Sequence, residues 1–318
     1  MFALARKNRD GFDIIELENT ISKTSLEITP ISGALLHSFR IFQNNKCINV
    51  IDSYNSLGDF ANNLTSSGFK SCKLSPFACR IKNAAYTFKG EKYKLDKFLL
   101  GKNAIHGLIY DKAFTVVSTM ANEKAAEVVL KYEYRGEENG YPFHFDCIVS
   151  YRLGENNRLT VKTTVTNKAN VDIPIQDGGH PYFTLGKKVD ELELMVKTKK
   201  KVVFDEEIIP TGELVDFTEF VNGKKVGDIQ LDDCFLLDET ASQPLCILKD
   251  VENGIQIEIE PDSSYPYLQL YTPPHRNSIA IENLSAPPDT FNNGIDLIIL
   301  GPSESKTFTT SFTIKSIK

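Results

Sequence analysis

Three side chains in this 318-residue chain have the types and settings for proton-transfer chemistry: Glu282, His106 and His180. Glu282 follows the apolar, β-type run Ser278-Ile279-Ala280-Ile281, and the loop Ser285-Ala286-Pro287-Pro288 opens just behind it. A strand end stiffened by prolines can hold one carboxylate at the mouth of a rigid sheet. Such a carboxylate is a candidate general base. His106 sits in Asn103-Ala104-Ile105-His106-Gly107, and His180 in Gln176-Asp177-Gly178-Gly179-His180-Pro181-Tyr182-Phe183. Neighbouring glycines let backbone or ligand approach closely. Pro181 also restricts His180 to extended geometry, so its imidazole is held without a helix. The other three histidines have plainer settings: His37 and His144 in strand-like runs, His275 in a loop after Pro273-Pro274.

Four further polar residues are open to two readings each. Asp232 and Asp233 are adjacent carboxylates entering the run Cys234-Phe235-Leu236. They are turn residues before a strand, or one of them points into a site and accepts hydroxyl hydrogen bonds. Arg80, in Phe77-Ala78-Cys79-Arg80-Ile81, is a surface residue with a buried stem or a fork donor to an oxygen-rich ligand. Gln269, between Tyr267 and Tyr271, belongs to the polar face of a strand or bonds ligand hydroxyls from it.

Several chemistries lose support from missing motifs. The chain has no phosphate-cradling G-x-x-x-x-G-K-[ST], no strand-linked G-x-G-x-x-G, no H-E-x-x-H and no G-x-S-x-G. Cofactor-free acid/base work by His and Glu gains by comparison. A net charge of −6 argues against nucleic acid or an anionic membrane as partner. No run of 18 apolar residues offers a membrane span, and the first apolar stretch is too short for a signal-peptide core. The six cysteines, at 47, 72, 79, 147, 234 and 246, form no C-x-x-C pair. They read as reduced, mostly buried residues of a cytoplasmic protein, and their spacing suggests no metal site.

The elements that must position these residues are strands. Segments such as Ala126–Tyr134, Cys147–Leu153, Leu159–Asn167 and Gly254–Pro261 alternate apolar with polar or β-branched residues. Turn clusters such as Glu252-Asn253-Gly254 and Val221-Asn222-Gly223 separate strand-like runs. One helix is expected near Ser56–Thr65, with Ser56 as its cap. The pattern predicts an all-β protein, one domain over 1–318, built as a large antiparallel β-sandwich of stacked sheets.

Six segments, in order, resemble the aldose 1-epimerase (galactose mutarotase-like) family: Cys79-Arg80-Ile81, Asn103–Gly107, Gly179–Phe183, Asp232–Phe235, Gln269–Thr272, and Glu282 with its Pro-Pro-x-x-Phe-Asn tail. The resemblance runs from about Ile28 to Leu300-Gly301-Pro302-Ser303-Glu304-Ser305. It implies the antiparallel galactose mutarotase-like β-sandwich. It also implies interconversion of the α and β anomers of a free hexose, with no cofactor and a small-molecule sugar as partner. By the same resemblance Glu282 is the general base and His180 the general acid. His106 orients the ligand near the ring oxygen, and Arg80, Asp232 and Gln269 bind hydroxyls. The chain departs from the family pattern at Cys79, where Asn is common, at Asp233, where His is common, and after Gly107, where a second glycine is missing. These departures bear on the sugar. One alternative is a hexose-6-phosphate 1-epimerase, with Arg80, Lys82, Lys102 and Arg276 as candidate cations; another is a non-catalytic carbohydrate-binding protein on the same fold. Monomer and dimer stay open.

Overall fold

Alternation of apolar and polar residues translates directly into strands with one buried face. In Phe145–Gly154 every second residue, from Phe145 through Cys147, Val149 and Tyr151 to Leu153, is buried, and those between are half-buried. This strand pairs on one side with Ala126–Tyr134 and on the other with Arg158–Asn167, antiparallel in both cases. The computed structural model describes residues 1–317. It contains a nine-stranded sheet, an eight-stranded sheet and a five-stranded N-terminal meander, with smaller two- and three-stranded ribbons. This is an all-β fold of stacked antiparallel sheets.

The eight-stranded sheet matters most for function. Its central strands are Asp232–Leu237, Tyr267–Tyr271 and Ile279–Leu284, followed by the short Gly178–Gly179 and Lys73–Leu74 strands. Its two faces look into two different apolar cores. Phe235, Leu268, Leu270, Ile279 and Ile281 belong to the main core, which they share with Val128, Leu130 and Val149 of the nine-stranded sheet. Cys234, Tyr267 and Leu284 belong to a second core, with Phe60, Leu64, Phe69, Cys72, Ala78 and Ile105 from the loop layer above. The strands are therefore apolar on both faces, and polar residues on the second face lie inside the protein.

The helix spans Leu57–Asn63, ending two residues before the expected Thr65. Ser56 caps it: the Asp59 amide donates to Ser56 Oγ at 3.0 Å. Phe60 seats it in the second core. The thiols divide unevenly, since Cys47 is exposed while the other five are buried. Cys47 lies on Lys46–Asn49, the edge strand of the meander, where one side of the strand has no neighbour. Among the described residues no helix is long and apolar enough to cross a membrane.

Candidate active site

Strand register brings the polar residues of the second face into one row. Cys234 pairs with Gln269, and Gln269 with Glu282, across three neighbouring strands. Directly paired residues point to the same side of a sheet, and Asp232 shares that side with Cys234 because strands repeat every two residues. Asp233 points the other way and pairs with Lys201 at 3.0 Å. The structure therefore puts Asp232 in the cavity and Asp233 outside it.

Loops bring in the remaining groups. The Gly178–Gly179 strand pairs with both Leu284 and Leu74, and His180 follows immediately. A Cβ on Gly178 would stand 2.8 Å from a Leu284 methyl, so any larger residue would have to displace that side chain. The His180 amide donates to Cys72 O at 3.0 Å, and its carbonyl accepts from Ser71 N at 2.8 Å. His106 and Cys79 are both left-handed, with φ of 63° and 54°. The His106 amide donates to Cys79 O at 3.0 Å. Gly107, at φ 82°, lies so close to Ser75 that a Cβ would meet its carbonyl oxygen at 2.3 Å. Non-glycine residues held in this region are strained, and the strain is tolerated where a site is being shaped.

Buried amides tie these loops to the sheet. Gln176 accepts from Ala78 N at 3.0 Å and donates to Ala286 O at 2.7 Å. The Asp289 amide donates to Arg80 O at 2.8 Å. The loop carrying Cys79 and Arg80 is thus fastened to the segment leaving Glu282.

The result is a cavity of about 420 Å3 lined by Arg80, His106, His180, Asp232, Gln269 and Glu282, within the range of small-molecule sites. All six sequence-derived site residues meet there. His180 Nε2 lies 3.3 Å from Glu282 Oε1. The His180 ring stacks on Tyr182 with centroids 5.2 Å apart and meets His106 edge-on at 4.8 Å. Gln269 Nε2 donates to Asp232 Oδ1 at 2.8 Å, leaving Gln269 Oε1 without a partner. Glu282 Oε2, His180 Nδ1 and His106 Nδ1 are likewise buried without partners. Unsatisfied buried polar atoms are rare and call for a reason. A polyhydroxy ligand is one, since its hydroxyls both donate and accept.

Burial dominates the electrostatics. It pushes the Glu282 carboxyl well above the usual range, helped by the nearby Asp232 charge and opposed by Arg80. It lowers His180 to about 3 and drives His106 well below 6.5, with His180 and Arg80 adding to the fall. Asp232 is raised, again by burial, while Arg80 and the Gln269 hydrogen bond oppose the rise. Both shifts favour a protonated Glu282 beside a neutral His180, whose ring nitrogen at 3.3 Å can take that proton.

Several lining residues escape sequence reasoning. Cys79, Phe69, Lys70, Leu100, Tyr182, Tyr271 and His275 all border the cavity. His275 has a loop setting in the sequence, and nothing local tells that its loop folds over the sheet. Aromatic side chains next to the other site motifs were the one usable signal for Tyr182 and Tyr271, since such rings cover apolar sugar faces. The cysteine and histidine spacing carries no metal motif, yet folding brings donor atoms of Cys79, His106 and Glu282 within 4.8 Å of one another.

Comparison with known proteins gives the same picture. A family model described as aldose 1-epimerase matches residues 13–313. The chain is 28% identical over 275 residues to an aldose 1-epimerase of Streptococcus thermophilus, covering 75% of this chain and 74% of that one. It is 24% identical over 250 residues to a maltose epimerase of Levilactobacillus brevis, covering 72% of each. Its fold superposes on a galactose mutarotase-like protein from Clostridium acetobutylicum with a TM-score of 0.87 at 18% identity, covering 99% of both chains. With a family model matched over nearly its whole length and the candidate site residues gathered in one cavity, this chain belongs to the aldose 1-epimerase family, a family of isomerases.

Proposed function

We propose that the protein interconverts the α and β anomers of a free hexose by general acid/base ring opening. The observation that carries this reading is the 3.3 Å approach of His180 Nε2 to Glu282 Oε1 beside the sugar-sized cavity. A hemiacetal already has the oxidation level of an aldehyde, so anomer exchange needs only proton transfers. Passage of the Glu282 proton to His180 across their 3.3 Å contact readies the pair, and the ionised Glu282 then removes the proton from the anomeric hydroxyl. Protonated His180 gives its proton to the ring oxygen, and the bond from that oxygen to the anomeric carbon breaks. Rotation about the adjoining carbon–carbon bond presents the other carbonyl face. Reclosure returns both protons. A pair sharing one proton suits this sequence because it ends each exchange with the proton count it began with.

The other residues bind and orient. Asp232, held by Gln269, accepts from sugar hydroxyls, while Gln269 Oε1 is free to accept another. Arg80 donates, and neutral His106 donates or accepts near the ring oxygen. Phe69, Tyr182 and Tyr271 offer ring surface to the apolar side of the sugar. A free sugar fits better than a phosphorylated one. Of the four candidate cations for a phosphate, Arg80 alone lines the cavity, while Lys82 pairs with Asp205, Lys102 with Glu207 and Arg276 with Asp190. Six unpaired thiols, five of them buried, suit a reducing cytoplasmic setting.

The test is saturation-transfer NMR on several hexoses and on glucose 6-phosphate. Anomer exchange above the buffer rate is expected for a free hexose, and Glu282→Gln or His180→Asn should remove the excess. Calorimetric sugar binding with no excess exchange would instead mark a non-catalytic carbohydrate-binding protein. Preference for the 6-phosphate would mark the phosphosugar enzyme.

A further inference from the structure

Three donors of different chemistry converge in the cavity from three separate segments. One atom each of the Cys79 thiol, the His106 imidazole and the Glu282 carboxylate lies within 4.8 Å of the other two. The residues are 5%, 6% and 2% exposed. Two polar atoms of this trio, His106 Nδ1 and Glu282 Oε2, are buried with no hydrogen-bond partner. Sugar hydroxyls can satisfy an imidazole and a carboxylate. A thiol is a weak donor and a weak acceptor, and adds little to hydroxyl recognition. What thiolate, imidazole and carboxylate share is affinity for a borderline-soft divalent ion.

We propose that Cys79, His106 and Glu282 form a binding site for a divalent transition-metal cation of the zinc type, which competes with sugar for the cavity. Zinc takes such ligands at about 2.0–2.3 Å in tetrahedral array, so ligand atoms sit roughly 3.5 Å apart. The present spacing must close by about 1 Å, within reach of χ rotations of Glu282 and Cys79. The two left-handed residues form a rigid pair, joined by the His106 amide to the Cys79 carbonyl. The glutamate stands on the central sheet. Three protein ligands leave a fourth position, and all three residues line the cavity that would supply it. On binding, metal–sulfur, metal–nitrogen and metal–oxygen bonds form, the thiol and any carboxyl proton pass to solvent, and no electron moves. With Glu282 so engaged, sugar is excluded. That this also stops anomer exchange rests on the epimerase reading; metal binding and its competition with sugar do not.

The experiment uses chelator-treated full-length protein carrying Cys47→Ser, which removes the one exposed thiol. Co2+ and then Zn2+ are titrated, with absorption spectra and calorimetry as readouts. One-to-one uptake is expected, with a thiolate-to-cobalt band in the near ultraviolet that Zn2+ bleaches and saturating sugar weakens. Adding Cys79→Asn should abolish the band and reduce Zn2+ affinity by more than the roughly 10–100-fold that loss of an outer-shell partner costs. Asparagine tolerates the left-handed backbone at this position; Cys79→Ser serves in its place if thermal melting shows that variant unfolded. Absence of the sulfur band in the Cys47→Ser protein, Zn2+ affinity unchanged by loss of the Cys79 thiol, or binding indifferent to sugar each overturns the proposal. A protein that shows the band but no anomer exchange keeps the metal site and loses the epimerase reading. An active epimerase without the band does the reverse.

Discussion

Replacing Glu282 by glutamine tests the proposed base with little change of shape. The amide keeps the side-chain length and can still bond to His180, but it cannot accept the anomeric proton. General-base catalysis contributes about 10²–10⁴-fold, or about 3–5 kcal/mol of barrier at 1.36 kcal/mol per tenfold. Sugar affinity should change far less, because Arg80, Asp232 and Gln269 remain in the cavity. Stability should not fall. The carboxylate is buried, one of its oxygens has no partner, and burial disfavours its charged form. A neutral amide relieves that cost. Saturation-transfer NMR gives the exchange rate, calorimetry the sugar affinity, and scanning calorimetry the melting temperature. The expected pattern is a rate near that of buffer, binding within a few-fold of the parent, and an equal or higher Tm. A variant that keeps more than a tenth of the parental rate would refute the assignment of the base. One that melts well below the parent would refute the account of the buried carboxylate.

Three further outcomes follow from the same geometry. Asp232→Ala should weaken sugar binding by the 1.5–3 kcal/mol typical of a hydrogen bond to a charged group, raising KM about tenfold to a hundredfold with a smaller effect on kcat; an unchanged KM would remove Asp232 from the sugar contacts. Lys73→Met should destabilise the fold by about 3–5 kcal/mol, since it strands the fully buried Asp177 that Lys73 and Tyr265 hold; calorimetry should show Lys73→Met/Asp177→Leu recovering much of that loss, and a double variant as unstable as the single would contradict it. Burial would raise the Glu27 carboxyl, but hydrogen bonds from Lys7, Arg9 and Arg40 outweigh it and hold the group at about 2 against 4.5 unperturbed. A depressed carboxyl stabilises the protein above its unfolded pKa, and the benefit drains away as pH falls from about 4.5 toward 2. The advantage over Glu27→Gln in thermal melts should therefore be full at pH 7, at most about 3 kcal/mol before solvent screening of the partly exposed cations, and gone near pH 2. An advantage that persists there would refute the link.

Sequence alone determined the class of fold and the cast of residues. Alternation is a local property, so Phe145–Gly154 and Ala126–Tyr134 announce themselves as strands whatever they pack against. The Ser56 cap and the glycines beside His106 and His180 are local too, and so is the order of the six family segments. What the chain could not disclose is which face of a strand meets which core. Asp232 and Asp233 each share a face with apolar residues: Cys234 and Leu236 with the first, Phe235 and Leu237 with the second. Both faces of this sheet are covered, so apolar patterning does not choose between the two carboxylates. Only the pairing of Asp232–Leu237 with Tyr267–Tyr271, and of that strand with Ile279–Leu284, sets Asp232 beside Gln269 and Glu282. The same holds for His275, Lys70 and Cys79, which reach the cavity through loops folded across the sheet. The raised Glu282 and the lowered His180 are tertiary as well: burial drives both shifts, and no residue carries its own burial in the sequence.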